Sequence, residues 1–96
     1  RDRALAAIVT ASDDAIVGKL LDGTVTSWNP GAEALFGWTA DEMVGQSIAK
    51  IVPPERRDDL TRILERVGRG ERVAHHETVR VAKDGRRIDV SVSVSP

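Results

Sequence analysis

Apolar and polar positions along the chain follow two different periods. Near the C-terminal end, Ile88, Val90, Val92 and Val94 alternate with Asp89, Ser91, Ser93 and Ser95. This is the pattern of an antiparallel strand with one buried and one solvated face. Leu60, Ile63, Leu64 and Val67 fall instead at i, i+3, i+4 and i+7, which predicts a helix from about Pro54 to Val67 with Arg, Asp and Glu on its other face. Gly68 and Gly70 close that helix. Leu5, Ile8 and Val9 at i, i+3 and i+4 predict a short amphipathic helix over residues 2–11, broken by Ser12-Asp13-Asp14. Ala15 to Leu21 is a short apolar run that reads as a buried strand. Asp22-Gly23 supplies the turn after it, and Thr24 to Trp28, β-branched and aromatic, is the return strand.

Turn and cap residues divide the rest. Asn29 is an N-cap and Pro30 suits the first helical position, where its missing N–H does no harm. The helix they open carries Ala32, Leu35 and Phe36 and ends at Gly37. Thr39 and Glu42 are spaced as a capping box. The single turn they start runs through Met43-Val44 to Gly45, and Ser47 to Val52 forms a further turn. After the long helix, residues 71–82 read as a strand, and Lys83-Asp84-Gly85 as the turn into the last one. The order is ββ, three or four short helices, then ββ: an α+β fold with an antiparallel sheet and helices on one face.

Composition narrows the function. The 96 residues suit one small domain, and 41% hydrophobic residues suffice for a core, but only 3% are aromatic, so Val, Ile, Leu and Ala must build most of it. A net charge of −1 gives no electrostatic reason to bind nucleic acid or an anionic membrane. The absence of cysteine excludes disulfides, thiolate nucleophiles and cysteine–zinc sites. No apolar run approaches the ~20 residues of a membrane span, and the first residues lack the apolar stretch of a signal peptide. Arg1 in place of a start Met reads as a piece of a longer protein.

Several segments in order carry a resemblance. They are Asp14-Ala15-Ile16, Asp22-Gly23, Trp28-Asn29-Pro30-x-Ala32-Glu33, Leu35-Phe36-Gly37-Trp38-Thr39, Glu42-Met43-Val44-Gly45, Glu77-Thr78-Val79-Arg80 and Lys83-Asp84-Gly85. Each is weak alone; together they resemble the PAS sensory domain family over residues 12–96. The resemblance implies residues 1–12 as an N-terminal helix or linker and residues 13–96 as the domain core. It implies Trp28, Asn29, Pro30, Asp84 and Gly85 as structural motif positions and an ion pair between Glu42 and Lys83. The family's sheet has a fifth strand, central between its first and fourth, that would follow Pro96. Its absence predicts two exposed edges, and hence edge pairing or element swapping with a second copy.

The same resemblance implies a non-catalytic sensory, signal-transducing and dimerising module. Its expected parent is a cytoplasmic or membrane-anchored sensor histidine kinase of a two-component phosphorelay, the output kinase domain being its partner. The alternatives are a cofactor- or metabolite-binding sensor and the PAS module of a diguanylate cyclase. Leu5, Ile8 and Val9 are the expected dimer interface. The candidate pocket, between sheet and helices, draws on Leu35, Phe36, Met43, Val44, Ile48, Leu64, Val79, Val90 and Val92. A filled apolar core reads from the same residues, and no polar cluster among them selects a ligand. No cofactor is expected, with haem, flavin and a small metabolite left open. A haem-ligating His is missing from the long helix, and the cysteine of flavin photochemistry is missing altogether. Trp28 and Phe36 read as core. His75 and His76, adjacent on a strand, face opposite ways and cannot grip one metal ion together. Asp13-Asp14 and Asp58-Asp59 read as capping and surface groups rather than a metal site, and no catalytic constellation is present.

Overall fold

The period-two segment at the C-terminal end builds the longest ladder of the sheet. In the computed structural model, which describes residues 6–11 and 14–96, β4 (Val73–Val81) and β5 (Arg87–Ser95) form an antiparallel hairpin. The Lys83-Asp84-Gly85 turn joins them, with Gly85 at φ 89°, a conformation that glycine adopts without a steric penalty. Val90, Val92 and Val94 are buried, as their alternation predicts. β2 (Ala15–Leu20) and β3 (Val25–Trp28) form the other hairpin, with a bulge at Gly18/Lys19.

β1 (Ala6–Ala11) stands between the two hairpins, and the five strands run in the order β3-β2-β1-β5-β4, all antiparallel. This corrects two expectations. Residues 6–11 are a strand rather than part of a helix over 2–11, and the gap between β2 and β5 is filled from the N-terminal side. The segment satisfies both periods: Ala7, Val9 and Ala11 turn inward while Ile8 and Thr10 are exposed. A ten-residue helix is marginal by itself. As a strand the same residues pair with β2 from Ala6–Leu20 to Ala11–Ala15 and with β5 from Ile8–Ser95 to Thr10–Ser93. Two ladders thus outweigh a weak local preference. Leu5, Ser12 and Asp13 lie outside the described residues.

α1 (Pro30–Phe36), α2 (Ala40–Met43), 3₁₀ turns at Ile48–Ile51 and Pro54–Arg56, and α3 (Arg57–Gly68) connect β3 to β4 and cover one face of the sheet. The long helix thus opens with a 3₁₀ turn after Pro53-Pro54. Leu60, Ile63 and Val67 are buried and Leu64 is half-buried. The core divides in two. Trp28, Phe36, Met43, Ile48, Ile51 and Leu60 pack with Ala15, Val17 and Val25. Ala7, Ile63, Val67, Val73 and Val94 form the second cluster. Val9 touches both. Among the described residues no helix covers the other sheet face, and Ile8 and Ile16 are each 44% exposed there.

Candidate functional site

The α1–α2 end is held by side chains that answer free backbone groups. Asn29 Oδ1 accepts from Ala32 N and Ile16 N, both at 2.8 Å, while its Nδ2 donates to Asp14 O at 2.9 Å. One side chain therefore caps α1 and staples it to β2. Gly31 allows this approach, since a Cβ there would lie 2.4 Å from Asp14 O. Thr39 N donates to Glu42 Oε1 at 2.8 Å and Glu42 N to Thr39 Oγ1 at 3.2 Å, completing the capping box. Lys83 Nζ reaches Glu42 Oε2 at 2.5 Å, the ion pair implied by the resemblance. Glu42 is held below the usual carboxylate range, first by that bond and then by Thr39 N–H. Lys50 and Lys83 both lie over the Trp38 ring, at 4.2 and 5.2 Å. Trp28 Nε1 donates to Trp38 O at 2.9 Å, and the Trp28 and Phe36 rings pack 5.5 Å apart. Trp28, Asn29, Glu42 and Lys83 make scaffold contacts at this end, Pro30 opens α1, and Asp84 Oδ1 accepts from Arg86 N at 2.9 Å within its own turn.

The inner sheet face has a different chemistry. Lys19 on β2 and Arg80 on β4 are 3% and 6% exposed. Both line a cavity of about 20 Å³ whose walls include Val9, Val17, Ile51, Leu60 and Ile63. Burial first, and the charge of Arg80 second, push the Lys19 ammonium down to about 8. Arg80 is also lowered, by burial chiefly; Asp59 opposes that shift and Arg56 adds to it. Arg80 Nη1 donates to Thr78 Oγ1 at 3.2 Å and to Val79 O at 3.0 Å. Asp59 on α3 lies 2.8 Å from His76 Nε2 and 3.5 Å from Thr78 Oγ1.

Of the pocket residues named from sequence, Phe36, Ile48 and Val92 line this cavity. Met43 is fully buried in the core, Leu64 packs against it and Val44 is 45% exposed. Leu35 lines a separate open groove with Ile88. Val79 and Val90 border an open depression beside Arg56, Glu77 and Asp89. Sequence reasoning missed Lys19 and Arg80. The available signal was their position: Lys19 shares the parity of Ala15 and Val17, and Arg80 that of Thr78, so both belong to inward-facing sets.

His75 and His76 do not converge. A bulge between Val73 and His76 breaks the ladder, His75 adopts φ 51° and is exposed, and His76 is half-buried against Asp59. Of the expected dimer residues, Ile8 is exposed on the open sheet face, Val9 packs into the core and Leu5 lies outside the described residues. Among the described residues no group of three or more His, Asp or Glu side chains could hold a metal ion, and no helix is long and apolar enough to cross a membrane.

Known proteins place this architecture. The fold is similar to that of a PAS domain from Colwellia psychrerythraea, with a TM-score of 0.65 and 18% identity over 95% of this chain and 83% of that one. A second similar structure is the PAS domain of histidine kinase ThkA, with a TM-score of 0.47 and 18% identity over 98% of this chain and 100% of that one. No curated protein matches. The sequence itself matches the PAS fold over residues 3–96. Because that match takes in both hairpins and every helix between them, the chain belongs to the PAS fold family.

Proposed function

We propose that the domain is a non-catalytic sensory module of a larger signalling protein, receiving its signal in the space between the inner sheet face and the helices. The observation that carries this reading is the cavity itself, a small void with two buried cations at its edge. Apolar packing alone gives no reason to place charge there. Its walls come from β1, β2, β4, β5, α1, α3 and the Ile48–Ile51 turn, so a change inside it would be felt across the sheet. Scaffold roles for Asn29, Thr39, Glu42 and Lys83 support the absence of chemistry at the motif positions. The parent proposed is a sensor histidine kinase, on the sequence resemblance. Homodimerisation belongs to the same proposal, and Ile8 supports it by its exposure beside Ile16 on the open sheet face.

The test fills the cavity in the full-length parent. Val92→Leu adds about one methylene to the wall, a change that folded cores tolerate at modest cost. Autophosphorylation should change several-fold, or lose its response to conditions, while the exposed control Arg62→Ala behaves as wild type. Output identical to wild type in a folded Val92→Leu parent would contradict the reading.

A further inference from the structure

A strand edge exposes main-chain groups that must find partners elsewhere. The outer edge of β3 is met by the chain after α2: Gly45 N donates to Val25 O, Val25 N to Gln46 O and Ile48 N to Gly23 O, at 2.8, 2.9 and 2.8 Å. Two other stretches lack a neighbouring strand among the described residues: the outer edge of β4, and the first part of β5 on its β1 side. The β1–β5 ladder runs from Ile8–Ser95 to Thr10–Ser93, whereas β5 begins at Arg87. Ala82 N donates to Arg86 O, so Arg80–Ile88 and Thr78–Val90 are the pairs that exchange hydrogen bonds between β4 and β5. The N–H and C=O of Arg87 and Asp89 therefore point away from β4, and no described residue bonds to them there. They open on a groove of about 470 Å³ whose other wall is α1, through Gly31, Ala34 and Leu35.

We propose that this groove takes an extended segment of a partner protein as an added strand, antiparallel to β5 and in line with β1. The unpaired groups of Arg87 and Asp89 supply its main-chain bonds. The residue between those two bonded positions stands opposite Ile88, and its side chain enters the groove beside Leu35 and Ile88, where an apolar group is favoured. Charge sets the residues on either side. Asp89 is exposed and has no ion-pair partner among the described residues, so the residue opposite it is basic. At the other end stand Arg87, shared with Glu55, and Arg86, whose guanidinium has no partner among the described residues, so the residue opposite Arg87 is acidic. The segment thus reads basic, apolar, acidic from its N-terminal end. The β4 edge is the poorer template, because Val79 O already accepts from Arg80 Nη1 at 3.0 Å. The groove shares no lining residue with the cavity of the sensory reading, so the two stand or fall separately.

Backbone-amide NMR of the 96-residue chain, titrated with the peptide acetyl-Val-Lys-Val-Glu-Val-amide, tests the proposal. The amides of Arg87 and Asp89 should shift most, and those of Glu77 and Val79 on the β4 edge should stay in place. The same peptide N-methylated at its Lys and Glu nitrogens loses both ladder donors and should bind about tenfold more weakly. The charge-exchanged peptide acetyl-Val-Glu-Val-Lys-Val-amide should also bind several-fold more weakly. Asp89→Lys, at an exposed position, should weaken the first peptide and favour acetyl-Val-Glu-Val-Glu-Val-amide. No shift at Arg87 and Asp89, or larger shifts at Glu77 and Val79, would overturn the groove. Equal binding of the N-methylated peptide would overturn strand pairing, and equal binding of the charge-exchanged peptide would overturn the chemistry assigned to the partner. If the Arg87 and Asp89 amides shift on concentrating the chain alone, a second copy fills the groove and the partner assignment falls.

Discussion

Around α1 and α2, Asn29, Glu33, Thr39 and Glu42 each accept a backbone N–H that a helix end leaves free. On the inner sheet face Lys19 and Arg80 are buried more deeply, and Asp59 acts on Arg80 alone. The first region spends Asn29, Glu33, Thr39 and Glu42 on local geometry, each with a partner at hydrogen-bond distance, while Trp38 Nε1 is buried there without one. The second buries two cations side by side, and burial pulls both below their ordinary range. The difference separates residues that make the fold from residues that burden it. A burden retained in a core of small aliphatic side chains is where function is to be sought.

The largest test of this contrast lies in the scaffold. Trp28→Ala removes a ring that is 6% exposed, packs on Phe36 and donates to Trp38 O. It should cost about 3–5 kcal/mol in denaturant unfolding, enough to unfold a domain of this size. A loss below about 1 kcal/mol would mean that the α1–α2 end is not what holds the fold.

The next effect has the opposite sign. Lys19→Met keeps the volume and removes the buried charge, so the variant should be more stable than wild type at pH 7 by about 1–3 kcal/mol. The pH dependence follows. Unfolded Lys19 keeps its proton to near 10.5, whereas folded Lys19 releases it at about 8. Between these values the unfolded chain holds more protons, so wild-type stability should rise with pH through that window, by up to about 3 kcal/mol. Below about 8 this contribution to the slope vanishes. Lys19→Met should lack the rise. A destabilised Lys19→Met would place Lys19 with the scaffold and erase the comparison.

Asn29→Ala removes the bonds to Ala32 N, Ile16 N and Asp14 O and should cost about 1–2 kcal/mol. A smaller loss would show that α1 docks on β2 through packing alone. The Glu42–Lys83 pair should give the least. Both side chains meet solvent, and a double-mutant cycle should find weak coupling that fades with salt. Strong, salt-insensitive coupling would show that polarity at this end also bears on the core.

What the sequence disclosed follows the same division. Asn29-Pro30, the Thr39–Glu42 box and the Lys83-Asp84-Gly85 turn act within a few residues of themselves, so their chemistry is legible in order along the chain. The alternation of Val90, Val92 and Val94 is equally local. β1 was not legible, because Leu5, Ile8 and Val9 fit a helix while Ala7, Val9 and Ala11 fit a strand. The choice between them is made by pairing with β2 and with β5, the latter far away in sequence. Lys19 and Arg80 were hidden for a related reason. A lysine or arginine in a strand ordinarily carries its charge out to water. Only the stacking of α3 and the Ile48–Ile51 turn over their face seals them in. The cavity is a product of that tertiary arrangement, and of the pocket residues read from pattern only Phe36, Ile48 and Val92 border it.

Titration of the Lys19 ammonium by lysine-selective NMR, with Lys19→Arg assigning the signal, tests the central claim most directly. The account predicts a midpoint of about 8, held down by burial and by the charge of Arg80. A midpoint near the ordinary 10.5 would contradict it.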